Sequence, residues 1–412
     1  MALIVQKYGG TSVGSIERIQ NVAGRIIDTV KQGHAVVVVV SAMGKSTDHL
    51  IDMANSISNQ PSKRELDMLV STGEQVSMSL LAMALNEKGY DSISLTGWQA
   101  GVETESVHGN ARILNIDTQR INRQLDSGRI VIVAGFQGIT TADEIATLGR
   151  GGSDTTAVAL AAVLDASKCE IYTDVTGVFT TDPRVVKDAR KLSAISYDEM
   201  LEMANLGAGV LHPRSVEFAK NYNVMLEVRS SLEKETGTIV EEVATMEGNL
   251  MVRGIAFDDN VTKVTVHNLP DDIVTLSTLF SKLAERQINV DIIIQNTSGN
   301  KTTNVSFSID SGILTETMEV LESHRSLLNF DSITSEGNLS KVSIIGSGMI
   351  SNPGVAAKMF SSLAGANIKV KMVSTSEIKV STVVDGSLMI SAIECLHEAF
   401  QLDARKPVHT AQ

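Results

Sequence analysis

Apolar positions along the first half of the chain follow two rhythms. Residues 3–7 and 35–40 are short, nearly unbroken apolar runs. Between them Ile16, Ile19, Val22, Ala23, Ile26, Ile27 and Val30 recur every three or four residues, up to Gly33. The runs predict strands buried on both faces, and the spaced set predicts an amphipathic helix that stops at a glycine. The alternation continues with a helix from Ser62, where Ser62 and Glu65 form a capping box and Gly89 marks the stop. A strand over 129–134, an Ala-rich helix over 153–166 and a strand near 170–173 follow. This pattern predicts an α/β domain on a largely parallel sheet, with ligands at the carboxyl ends of its strands.

From about residue 250 the texture changes. Residues 263–267, 276–286 and 289–295 read as strand, helix and strand, and 341–345, 355–363 and 367–373 repeat that order. Phe280 aligns with Phe360 and Ile288 with Ile368, a spacing of 80 residues, and each unit runs on into an alternating strand at 304–309 and 377–384. This predicts a duplicated small α+β module. The stretch 234–249, with Glu241, Glu242 and Glu247, reads as the linker, so the expected division is 1–245, 246–335 and 336–412.

At 412 residues the chain is too long for one ordinary core. A formal charge of −13 argues against nucleic acid or an anionic membrane as the main partner, since both want a basic face. The longest apolar run, 35–40, is far too short to span a bilayer, and the opening MALIVQKYGG has neither the basic lead nor the apolar stretch of a signal peptide. Two distant cysteines, Cys169 and Cys395, fit a reducing cytoplasm rather than a disulfide scaffold or a cysteine zinc site, and the eight histidines show no metal-ligand spacing.

The run 37–46, VVVVSAMGKS, ends like a phosphate-binding loop. Such a loop needs a glycine five residues before the Gly of its Gly-Lys pair, and Val39 stands there. If the chain handles a nucleotide, its phosphates must be held elsewhere, with Lys45 a bystander. Lys7-Tyr8-Gly9-Gly10-Thr11-Ser12 is the stronger candidate, because two glycines let backbone approach a ligand, a helix follows and Lys7 adds a mobile charge. Such a turn also occurs with no ligand at all. A second turn, Gly149-Arg150-Gly151-Gly152-Ser153-Asp154, again opens a helix. A capped helix would explain Ser153 and Asp154, but Arg150 among three glycines suits carboxylate recognition. Two weaker signals are the polar loop GVFTTDPR over 177–184 and Ser71-Thr72-Gly73-Glu74, which interrupts a helix and opens a place for Glu74 as readily as it tolerates a surface glutamate. Trp98 could line a pocket, though a large aromatic near a strand end is more often core, and His212-Pro213-Arg214 reads as structural.

In order and spacing KYGGTSVG, SAMGKSTD, STGEQVS, GRGGSDTTA, YTDVTGVFTTDPR and GVLHPRS resemble the aspartokinases of the amino-acid kinase superfamily, and the duplicated module resembles their paired ACT domains. The likeness covers essentially the whole chain and is nearest the lysine-sensitive enzymes built from long and short subunits. It implies a three-layer αβα kinase domain followed by two ferredoxin-like ACT domains. It also implies phosphorylation of the β-carboxylate of L-aspartate by MgATP, the entry to lysine, threonine and methionine synthesis. In that reading Lys7 and Asp154 are catalytic. Lys7, Tyr8, Gly9, Gly10, Ser12, Ser41, Thr173, Asp174, Phe179, Asp182 and Arg184 frame ATP. Ser41, Thr47, Glu74, Arg150, Gly151, Gly152 and Ser153 surround aspartate, with Arg150 on its α-carboxylate and Glu74 on its ammonium. Mg²⁺ is held by the phosphates rather than by protein.

The resemblance also implies a feedback amino acid, lysine with or without threonine, near Asp271, Asn289, Asp291 and Gln295, with Ser374, Thr375 and Glu377 from the second module or a partner. A plain strand would equally explain 289–295. The chain is expected to form a homo-oligomer, or a hetero-oligomer with a shorter ACT-only chain starting near Met246. It departs from the family pattern at Gly209, where relatives carry a Lys, at Ile273-Val274, where Pro-Gly is usual, and at Ile350 and Asn352, where Arg and His are frequent. A glutamate or uridylate kinase and a catalytically silent amino-acid sensor are the competing readings.

Overall fold

The computed structural model describes residues 2–243, 250–299 and 301–403. The expected 245/246 boundary and Met246 lie outside the described residues. The chain forms two compact units: one holds residues up to Val178, Lys191–Asn205 and the chain from Gly209 to the linker, and the other holds Phe179–Arg190, Leu206–Ala208 and the chain from 250 onward.

An eight-stranded sheet runs through the first unit in the order Ala194–Ser196, Thr238–Glu241, Leu226–Ser230, Lys168–Thr173, Leu3–Tyr8, Ala35–Val40, Ile130–Ala134, Ser92–Leu95. Every pairing is parallel except Leu226–Ser230 with Thr238–Glu241. Val36 to Val40 are all buried, as an unbroken β-branched run between helical layers requires. The helix Ile16–Lys31 turns Ile19, Val22, Ala23, Ile26 and Ile27 inward and packs with Thr72–Glu87 on one face. Gly152–Val163 and Pro213–Asn221 pair with each other, and Gly152–Val163 packs against the central strands. A smaller sheet, ordered Ile113–Ile116, Val102–Thr104, Gln137–Thr140, Ile145–Thr147, belongs to the same unit.

Two local expectations are corrected. Ser62 makes no side-chain cap: Leu66 N–H goes to the Ser62 carbonyl, while Glu65 is drawn to Arg64 at 2.9 Å, so the capping box does not form. The helix then divides into Lys63–Val70 and Thr72–Glu87. Their combined length and apolarity would suit a membrane span, but the break and the core residues of the second helix mark a packed element of the sheet. Ser153 is likewise not a cap, because left-handed Gly151 takes that position and Ser153 lies inside the first turn.

The second unit carries one antiparallel six-stranded sheet, ordered Ile293–Gly299, Thr302–Asp310, Gly254–Pro270, Ser332–Ile345, Lys379–Asp385, Met372–Thr375. Its two central strands are long and shared. Residues 254–258 pair with 341–345, and 261–267 pair with 332–339. The expected boundary at 335/336 therefore falls within a continuous strand, and the three-part division is kept as a proposal. The repeat is visible in the backbone: Gln287 and Asn367 both have positive φ, 58° and 56°, and Ile288 and Ile368 are both buried. The strands expected at 289–295 and 367–373 begin later, at Ile293 and Met372. Before Ile293 the ladder is irregular, since Asp291 N–H bonds the Ser308 carbonyl and Ile292 N–H bonds the Ser308 hydroxyl.

Candidate active site

Three strand ends converge at the carboxyl edge of the first unit's sheet. Lys7 is in register with Val39 on one side and Ile171 on the other. Strand alternation sends Lys7 and Tyr8 to opposite faces. Tyr8 goes into the core, stacked on Tyr172 with centroids 4.6 Å apart, so any contribution it makes to a ligand comes from its backbone. Lys7 faces the helix Gly152–Val163 and places Nζ 2.6 Å from Asp154 Oδ1, both side chains mostly buried.

The strand Ala35–Val40 opens into Ser41-Ala42-Met43-Gly44, which folds over the first glycine turn. Gly44 N–H donates to Gly10 O at 2.9 Å, and a Cβ on Gly10 would stand 2.8 Å from Ala42 O. The same loop receives the start of Thr72–Glu87. Gly73 has no room for a Cβ, which would meet that of Ala42 at 2.8 Å, and this closeness lets Glu74 reach inward. Glu74 is 3% exposed, and its Oε1 accepts Ala42 N–H at 3.0 Å while Oε2 is buried without a partner. Burial pushes its carboxyl up to about 7 against two backbone hydrogen bonds that pull it down.

The turn Gly149 to Gly151 holds Arg150 out, exposed, with no carboxylate paired to it among the described residues. Gly149 and Gly151 have φ +76° and +67°, a region open to glycine. His212 packs directly behind Gly151, where a Cβ would come within 2.2 Å of the ring. Arg214 braces the turn by donating to Leu148 O at 2.7 Å, so GVLHPRS supports GRGG from behind. Gly151→Ala adds roughly 1–2 kcal/mol of left-handed strain and also displaces the imidazole. The expected result is a lower thermal midpoint together with a raised KM for the ligand of Arg150, read by thermal melting and steady-state kinetics.

These pieces enclose one cavity of about 580 Å³. Lys7, Gly10, Ser41, Thr47, Glu74, Arg150, Gly151, Gly152, Ser153 and Asp154 all line it. The N-terminus of Gly152–Val163 points its positive end there. Gly9, Ser12, Thr173 and Asp174 lie outside its lining. Ser12 Oγ is nonetheless buried without a partner, an unmet polar atom within the first glycine turn. Thr173 bonds Asp174 at 3.1 Å. Phe179, Asp182 and Arg184 fold with the second unit, where Arg184 grips Asp182 at 2.6 to 3.0 Å and holds its carboxyl below the usual range. Cavity residues that the motifs did not single out include Asp67, Phe136 and Thr147. Phe136 carried a signal only in three dimensions, a φ of +71° beside Gly152.

In the second unit Gln295 donates to Asp271 at 3.2 Å and Lys341 pairs with Asp291 at 2.5 Å, while Asn289 is exposed. Ser374 and Thr375 sit on the opposite edge strand and Glu377 just beyond it, so this set does not converge within one chain. At the departures, Asp272 caps its helix by accepting Thr275 N–H at 2.8 Å, and Ile273, Val274 and Ile350 are exposed.

A model of the amino acid kinase family matches residues 2–230 and one of an ACT domain matches 342–400. Over 402 residues the chain is 69% identical to an aspartokinase of Bacillus sp. (strain MGA3) and 65% identical to aspartokinase 2 of Bacillus subtilis (strain 168), covering 98% of both chains in each case. Among solved structures, E. coli aspartokinase III in complex with aspartate and ADP (R-state) is 26% identical with a TM-score of 0.80, over 96% of this chain and 99% of that one. The same enzyme in complex with lysine and aspartate (T-state) gives 26% and 0.75, over 97% and 99%.

Proposed function

The chain belongs to the aspartokinases of the amino acid kinase family, and from that premise we propose how this aspartate kinase uses its cavity and how it is controlled. The reaction is transfer of the γ-phosphoryl group of MgATP to the β-carboxylate of L-aspartate, giving 4-phospho-L-aspartate in the cytoplasm as the first step toward lysine, threonine and methionine. The observation that carries it is that a buried, half-bonded Glu74 and an exposed Arg150 line the same cavity as the Lys7–Asp154 pair.

The acceptor carboxylate, of pKa roughly 4, is already ionised, so no general base is needed. The obstacle is charge, since two anions at 4 Å repel by about 4 kcal/mol at an effective dielectric of 20. Lys7 lies where the transferring phosphoryl group passes and neutralises it, and Asp154 keeps the ammonium aimed. Gly9, Gly10 and the unpartnered Ser12 hydroxyl take the phosphates, which fits the tight backbone at Gly10. Arg150 takes the aspartate α-carboxylate as a fork and Glu74 Oε2 its ammonium, with Ser41, Thr47 and Ser153 between them. Mg²⁺ comes with the nucleotide on phosphates and water and supplies charge neutralisation there. No group of three or more candidate ligands for a metal exists among the described residues.

Aspartate-dependent turnover of ATP, with hydroxylamine trapping an acyl phosphate, tests the reaction; absence of trapped product removes it. Arg150→Lys keeps the charge and loses the fork, and its KM for aspartate is expected to rise about tenfold at unchanged KM for MgATP.

For control, lysine, alone or with threonine, acts through the ACT modules by preferring an inhibited arrangement. The amino-acid site proposed there would include Asp271 and Gln295, which lie within hydrogen-bond distance of each other. The edge strands Ile293–Gly299 and Met372–Thr375 favour an oligomer of the chain with itself or with a shorter ACT-only chain. Titrating lysine and threonine into the assay, with the oligomer sized in parallel, decides both.

A further inference from the structure

Asp67 borders the cavity but has no part in the chemistry above. It sits 1% exposed on the helix Lys63–Val70, whose other buried residue is Val70. Its Oδ1 accepts the Thr147 hydroxyl at 2.6 Å, and its Oδ2 accepts Thr147 N–H at 3.1 Å and Gly109 N–H at 3.0 Å, with His108 Nδ1 also 3.0 Å away. One carboxylate thus ties a helix to the 108–109 loop and to the strand Ile145–Thr147. Both tied segments flank Gly149: Thr147 precedes it by two residues, and Gly109 O would stand 3.1 Å from a Cβ placed on it. Gly149 starts the turn that projects Arg150.

With its oxygens so engaged, Asp67 has little left to offer a substrate. An apolar residue could pack this helix face without the cost of taking a charge from water. What a carboxylate adds is direction, because convergent bonds select one arrangement of the segments they join. The geometry points to Asp67, with Thr147 and His108, as positioning residues that set the Gly149–Arg150 turn and thereby the affinity for the acceptor's α-carboxylate. This rests on the placing of aspartate between Glu74 and Arg150.

The test is steady-state kinetics of the full-length enzyme with each substrate varied in turn. Asp67→Ala is expected to raise KM for aspartate about tenfold or more, the loss of charge-assisted bonds, with KM for MgATP within about twofold. Asp67→Asn retains an acceptor for the N–H donors and an amide that can donate to the Thr147 hydroxyl, so it recovers most of the loss. In an Arg150→Ala background, Asp67→Ala adds nothing further to KM for aspartate, which a merely structural role would not produce. If Asp67→Ala does not fold, Thr147→Val, which keeps shape and loses one bond, carries the test with a rise of about threefold confined to aspartate. Unchanged KM for aspartate, or equal damage to both KM values, overturns the assignment. Should Arg150→Lys itself leave KM for aspartate unmoved, the placing of the acceptor fails instead.

Discussion

Lys7→Ala is expected to lower kcat by about two to three orders of magnitude at saturating aspartate and MgATP, because in the proposed reaction it removes a preorganised positive charge from the path of the phosphoryl group. The variant also strands Asp154, mostly buried and 2.6 Å from the missing ammonium. Removing one partner of a buried pair destabilises by about 3–5 kcal/mol, an upper figure for a pair that keeps some exposure. Stability and catalysis are separated by a second change. Asp154→Asn in the Lys7→Ala background should return the thermal midpoint toward that of the parent and leave kcat low. Lys7→Arg keeps the charge but replaces the compact ammonium beside Asp154 with a broader, planar guanidinium. It therefore recovers little. ADP release and hydroxylamine-trapped product measure kcat, and retention of more than a tenth of it by Lys7→Ala would remove Lys7 from the transfer step.

What could be read in advance depended on whether a residue's signal was local. Residues 35–40 are a strand because a six-residue apolar run rich in β-branched side chains is too short for a helix and fits a buried strand, and the helix before it, Ile16–Lys31, is marked by its spacing alone. The cavity motifs were legible because two glycine turns that each lead into a helix carry Lys7 and Arg150 beside them, and Gly10 and Gly151 stand where a Cβ would collide. The Ser62–Glu65 box failed because Arg64, between the two, offered Glu65 a nearer charge. Asp67 was invisible for the opposite reason: its partners are 41, 42 and 80 residues away, and nothing in its own helix announces them. Phe179, Asp182 and Arg184 follow the strand Lys168–Thr173 in sequence yet fold with the second unit, a partition that local pattern does not encode.

Glu74 gives the strongest pH signature. With the site empty, burial holds its carboxyl at about 7, well above the 4.5 of an exposed glutamate. In the window between those values the folded chain keeps a proton that the unfolded chain has lost, so stability falls as pH rises through it, by on the order of 3 kcal/mol in all. Glu74→Gln carries no charge to bury and keeps an oxygen for Ala42 N–H, so at pH 8 the ligand-free variant should melt higher than the parent. Aspartate reverses the ranking. In the proposed placement its ammonium meets Glu74 Oε2, which would favour the ionised form and expel the proton, so affinity for aspartate is expected to strengthen as pH rises toward about 7 and then level. Glu74→Gln should bind aspartate about ten- to a hundredfold more weakly at pH 8, with no such slope, and should converge with the parent near pH 5, where both side chains are neutral. Calorimetric titration in buffers of different ionisation enthalpy reads the proton directly: the parent releases one near pH 6 and the variant releases none. A parent whose aspartate affinity is flat from pH 5 to 8, with no proton released, would place the ammonium elsewhere and leave Glu74 as a buried brace for Ala42.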